Sequence, residues 1–134
     1  MQSAAFSPRT LEAIYRFAFL LTGDAATASS AVLDALREGA AAAQFRNDNH
    51  RNAFMAMKVR ALCLKAAPPT DAGEASSGFH LMPEPQRSAL ALFYLGLVAP
   101  ADIPQLFHLK PEGFADALAA GRDFLRERLT SSPA

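Results

Sequence analysis

Residues 67–78, APPTDAGEASSG, restrict the folding of this chain more than any other stretch. They hold two prolines, two glycines and three hydroxyl residues, and no large apolar side chain. Such a composition cannot build a core and reads as a flexible linker. It divides the 134 residues into two halves, 1–66 and 79–134, each large enough for only a small helical domain.

Both halves show helical periodicity and almost no strand alternation. Ser7-Pro8 is a hydroxyl cap followed by a proline at the first helical position. Leu11, Ile14, Tyr15, Ala18 and Leu21 then share one face. Thr22-Gly23-Asp24 ends that helix and caps a second, in which Ala28, Val32, Ala35 and Leu36 recur at helical spacing. Asn47-Asp48-Asn49 reads as a turn. A third helix over 51–66 groups Phe54, Met57, Ala61 and Leu64. Beyond the linker, helices are predicted over 84–97, 101–107 and 111–129. Leu90, Phe93 and Leu97 line the first; Phe114, Leu118, Leu125 and Leu129 line the last. The predicted class is therefore all-α, with two small domains and no sheet.

The formal net charge is zero, but its distribution is uneven. Residues 1–66 carry Arg9, Arg16, Arg37, Arg46, Arg51, Lys58, Arg60 and Lys65 against Glu12, Asp24, Asp34, Glu38 and Asp48. The linker is acidic and the C-terminal half is slightly so, which counts against strong phosphate binding there. The single cysteine, Cys63, has no internal partner and lies among Val59, Leu62 and Leu64, the setting of a buried structural thiol in a reducing cytoplasm. The first apolar stretch is broken by Glu12 and Arg16, unlike a signal peptide, and the longest apolar run, from Ala89 to just beyond Val98, is too short to span a bilayer. The expectation is a cytoplasmic protein with no membrane association.

The C-terminal half carries a specific resemblance. Residues 82–129 resemble, without gaps, the domain of bacterial sigma factors of the extracytoplasmic-function group that reads the upstream promoter element. Met82, Pro83, Glu84 and Arg87 match that family's Leu-Pro-Glu-x-x-Arg start. Leu90 or Leu92 with Tyr94 matches its Leu-x-x-Tyr stretch, and a short helix centred on Ile103 and Leu106 follows. Pro111 opens the last helix, and Arg122 and Leu125 match its closing Arg-x-x-Leu. The resemblance implies a helix-turn-helix whose last helix would enter the major groove. In the other half, YRFAFLLTGD (15–24) and VLDALR (32–37) are similar to the family's promoter-melting and polymerase-docking domain, and FMAMKVRALCLK keeps its aromatic start and Arg60.

The departures lie where function would reside. Thr27, Ser29 and Ser30 replace acids, and Leu33 replaces a glutamine. In the last helix the family's Gly-Thr-Val, base, Ser and Arg give way to Glu112, Gly113, Phe114, Ala115, Asp116 and Ala117. Alanine contacts neither phosphate nor a base edge, and Asp116 repels the backbone. Each lost bidentate base contact removes roughly 1–3 kcal/mol of discrimination. Pro104 stands where the family has alanine, harmless within a first turn and disruptive deeper.

Lys110 and Arg122 are the candidate DNA contacts that remain, and they read also as ordinary solvated charges. Arg51, Lys58, Arg60 and Lys65 recur on the third helix, either as a basic face for DNA or an acidic partner or as a solvated face. His50, His80 and His108 lack ligand spacing, so no metal or other cofactor is expected, and no catalytic arrangement stands out. Phe6, Phe17, Phe19, Phe45, Phe79 and Phe107 exceed what two small cores require. Phe93, Tyr94, Phe107 and Phe114 are the candidate partner-binding residues, since the family's anti-sigma partners use the gap between domains. The expectation is a non-enzymatic regulator of transcription initiation. It would bind an anti-sigma-like protein or the RNA polymerase core as a sigma mimic, or self-associate through its apolar faces, with weak DNA contact at most. The alternative is a working sigma factor that directs polymerase to promoters.

Overall fold

A computed structural model describes residues 7–39, 47–66 and 81–131. Among these residues are six α-helices and no strand. The predicted linker, 67–78, lies outside the described residues.

Helix α1 (Pro8–Thr22) begins as its sequence requires. Ser7 Oγ accepts from Thr10 N at 3.1 Å, and Pro8, lacking an N–H, sits in the first turn where no donor is needed. It stops at Gly23, whose left-handed φ of 70° points its N–H back to Phe19 O. Asp24 then caps α2 (Ala25–Gly39): its Oδ2 accepts from Thr27 Oγ1 at 2.6 Å and Thr27 N at 2.8 Å. The Thr27 hydroxyl, with the Thr27 amide, holds the Asp24 carboxyl below its ordinary pKa. Helix α3 (Asp48–Lys65) starts three residues earlier than expected. Asn47 is an N-cap whose Oδ1 accepts from His50 N at 2.8 Å, so Asp48 and Asn49 belong to the first turn rather than to a loop.

The buried faces differ in detail from the apolar stripes read along the chain. On α1 the core takes Phe17 with Ile14, Ala18 and Leu21, leaving Leu11 and Tyr15 half-buried. On α3 the expected stripe is displaced by one to two positions. Met55, Ala56, Val59 and Cys63 are buried, while Ala61 is exposed and Leu64 is 42% exposed. Apolar residues occur almost all round this helix, so a 3.6-residue period fits two stripes equally, and the neighbouring helices choose between them.

The C-terminal half comprises α4 (Gln86–Leu95), a 3₁₀ turn (Pro100–Asp102), α5 (Ile103–Leu106) and α6 (Pro111–Ser131). Helix α4 is shorter at both ends than expected. Pro85 precedes it, and Gly96, at φ 66°, closes it by donating to Leu92 O. Pro104 falls in the first turn of α5 and is buried there, so it causes no bend.

Helices α1–α3 pack on one another, α4 and α5 pack on α6, and α1 also packs on α4, so the buried side chains form one continuous cluster. Helix α4 explains how. Ser88, Ala89, Leu90, Ala91 and Leu92 are all buried, which an amphipathic surface helix cannot achieve. Residues turn by about 100° each, so Leu90 and Phe93 share one side of the helix and Ser88, Ala91 and Leu92 the other. The first side meets α6. A Cβ on Gly121 would stand 2.7 Å from Leu90 Cδ2 and 3.2 Å from Met82 Sδ, and Phe93 meets the Phe114 ring edge-on at 6.4 Å. On the second side Ser88 meets Arg60 of α3, and α1 packs on α4.

Candidate functional site

The outward face of α6 is the surface that a groove-reading helix would present. Glu112, Ala115, Asp116, Ala119, Ala120 and Arg122 are exposed, while Phe114 and Leu118 turn inward. Lys110, just before the helix, is also exposed. Lys110 and Arg122 are therefore available to solvent, but Glu112 and Asp116 share their surface and cancel their charge. Ala117, read along the chain as a lost base contact, is instead buried at 6% exposure, so its small size serves packing.

The basic residues of α3 do not make one face. At about 100° per residue, Lys58 and Lys65 fall near the direction of Arg51, but Arg60 points about 180° away. Arg51 pairs with Asp48 at 3.3 Å, and its side chain is only 15% exposed. Lys58 Nζ pairs with Glu38 Oε1 at 2.7 Å and lies 5.8 Å from the Phe54 ring centre. That hydrogen bond lowers the Glu38 carboxyl below its ordinary pKa. Lys65 is exposed near the helix end.

Arg60 reaches the other half of the molecule. Its Nε donates to Ser88 Oγ at 2.9 Å, and its terminal nitrogen lies 3.3 Å from Glu84 Oε1. The guanidinium also stacks over Phe107 at 5.0 Å. Glu84 Oε2 accepts in turn from Arg87 Nε at 2.7 Å, and the Arg87 guanidinium donates to Leu21 O on α1 at 3.1 Å. At the far end of the seam, Asn49 Nδ2 donates to Asp102 Oδ2 at 2.6 Å while its Oδ1 accepts from Ala99 N at 2.7 Å.

These contacts span the place where the partner gap was expected. The two halves meet directly, and Phe107 is half-buried beneath Arg60. Phe93 and Phe114 are half-buried against the core, and only Tyr94, at 60% exposure, projects from the set. Of the supposed surplus aromatics, Phe17 is fully buried and Phe19 half-buried; Phe6, Phe45 and Phe79 lie outside the described residues. The seam residues Asn49 and Ser88 were not singled out by sequence. A small polar residue opening the apolar run SALALFYL is the signal that marks Ser88.

Cys63 is 6% exposed and its thiol lies 4.0 Å from Ala18 O. Burial pushes its pKa up to about 12, with the Arg87 charge opposing the shift. His108 takes a left-handed φ of 56° in the turn before α6, and His80 lies outside the described residues. Among the described residues no three potential ligands cluster as a metal site, and no helix is long and apolar enough to cross a membrane. A shallow groove of about 320 Å³ runs between α2 and α3, walled by Thr27, Ser30, Asp34 and Leu62. Its one carboxylate, Asp34, already pairs with Arg37 at 3.0 Å. Comparison with protein-family models, curated proteins and solved structures gave no match.

Proposed function

We propose that this chain is a sigma-factor-like regulator of transcription initiation that works by protein–protein contact in the cytoplasm. Its partner is an anti-sigma-like protein or the RNA polymerase core, and its promoter contacts are largely lost. One observation carries the reading. The exposed face of α6 presents Glu112, Ala115, Asp116 and Ala119, leaving Lys110 and Arg122 without net positive charge around them. A helix so equipped cannot hold phosphates at physiological salt, because binding strength there depends on the number of phosphates neutralised. The resemblance of residues 82–129 to the upstream-promoter-reading domain supports the regulatory class, with α5, the turn and α6 as its helix-turn-helix. The working-sigma alternative is favoured by Pro104, which leaves the short helix straight.

Fluorescence anisotropy of the full chain with duplex promoter DNA tests the DNA term. Affinity no tighter than the non-specific range, on the order of 10⁻⁴–10⁻⁶ M near physiological salt, is expected. A nanomolar complex with one defined sequence overturns the reading in favour of the working sigma factor. Direct titration with purified core polymerase and with a candidate anti-sigma protein tests the partner term. Binding to neither defeats it.

A further inference from the structure

The seam between α3 and the α4–α5 region differs in kind from the contact between α4 and α6. On its α6 side, α4 presents Leu90 and Phe93, Leu90 so close that Gly121 has no room for a methyl group and Phe93 edge-on to Phe114. On the opposite side, where Ser88 meets Arg60, helical phase places Ala91 and Leu92, so one large apolar side chain stands among three buried residues. The remaining cross-seam contacts described above are polar and side-chain mediated: Arg60 to Glu84 and Ser88, Arg87 to Leu21 O, and Asn49 to Asp102 and Ala99. Arg60, Glu84 and Arg87 keep 15–22% of their side-chain surface in solvent. Groups of this kind regain water when separated, so polar interfaces part more readily than apolar ones.

We propose that this seam is a latch: the α4–α6 unit swings away from α1–α3 as one body, at lower free energy than global unfolding. Helix α4 leaves with α6, because its larger apolar face is spent there. The open form exposes Arg60, Ser88 and Leu92, groups that the closed form withholds from any partner. This does not rest on promoter chemistry, and it stands or falls separately from the regulatory reading.

Cys63 supplies a native probe. It lies about 60° round α3 from Arg60, with its thiol beside Ala18 O of α1 and under the Arg87 charge of α4. Departure of α4 therefore opens the Arg87 side of a thiol that is 6% exposed in the closed form. Alkylation of Cys63 in the full chain, followed by mass spectrometry across a urea series, reads the opening equilibrium. Wild type should react at least tenfold faster than its global unfolding equilibrium allows, with a shallow urea dependence. Glu84→Gln removes the carboxylate charge from across the seam, and Asn49→Ala releases the far end, about 21 Å along α3 from Cys63 at 1.5 Å per residue. Each should raise the labelling rate about tenfold with the same shallow slope. Fraying of the α3 terminus would leave the rate of Asn49→Ala unchanged, and that result overturns the latch. So does a wild-type rate that follows global unfolding with its full urea slope. Should Asn49→Ala fail to fold, Asp102→Asn weakens the same contact and is read by the same criterion.

Discussion

Arg60 Nε on α3 donates across 2.9 Å to Ser88 Oγ on α4, a hydroxyl that has no exposure to solvent. The bond joins residues 28 apart in sequence and on opposite sides of the 67–78 segment. Ser88→Ala removes the acceptor at nearly unchanged volume, so Arg60 Nε loses its partner in a partly desolvated site. A loss of about 1–3 kcal/mol is expected, measured by urea denaturation. Stability within error of wild type would show that Arg60 finds another acceptor and that the bond is dispensable.

Two glycines of α6 should respond with opposite signs. At Gly113 an added Cβ meets only Leu109, at 3.7 Å, an ordinary contact. Gly113→Ala should therefore stabilise by about 0.5–1 kcal/mol through backbone entropy. At Gly121 a Cβ stands 2.7 Å from the buried Leu90, and a β-branched side chain crowds it further. Gly121→Val should destabilise by about 1–3 kcal/mol. Thermal melts of the two variants, compared with wild type, check the pair.

Phe93 and Tyr94 are adjacent, their rings 6.0 Å apart, but they face different environments. Phe93→Ala removes a half-buried ring packed on Phe114 and should cost up to about 3 kcal/mol. Tyr94→Ser, at a position 60% exposed, should stay within about 0.5 kcal/mol of wild type. Phe93→Arg should accordingly lower the melting temperature, and an unchanged melt would return Phe93 to the set of free partner-binding residues.

Alkaline pH should weaken the fold through Cys63. Its thiol keeps its proton to about pH 12 when folded, against an ordinary value of 9.0. Between these limits the unfolded chain gives up the proton first, so stability falls as pH rises. The contribution is whole below pH 9 and is lost progressively towards pH 12. The slope is bounded at about 1.4 kcal/mol per pH unit. Subtracting the profile of Cys63→Ala from that of wild type isolates it from the titration of lysines and tyrosines. Parallel profiles from pH 9 upward would rule the mechanism out.

Much of the local structure is legible along the chain because it is decided within a few residues. Ser7-Pro8 starts α1, Gly23 stops it, Asp24 caps α2 and Gly96 closes α4, each through backbone groups only a turn away. The all-α class follows from the same short-range periodicity. Asn47 shows the limit: the same Asn-Asp-Asn cluster serves as a turn or as a cap, and the helix that follows decides. On α3, apolar residues all round the helix leave the buried face undetermined by period, so contact with α1 and α2 selects Met55, Val59 and Cys63 over Met57, Ala61 and Leu64. The seam was beyond reach for a stronger reason. Whether Arg60 meets water, a phosphate or Ser88 depends on where residues 28 positions away are brought, and no local preference encodes that. Helix α4 could be recognised as apolar from its sequence. Only the placement of α1 and α6 on its two sides made it the element that both halves share.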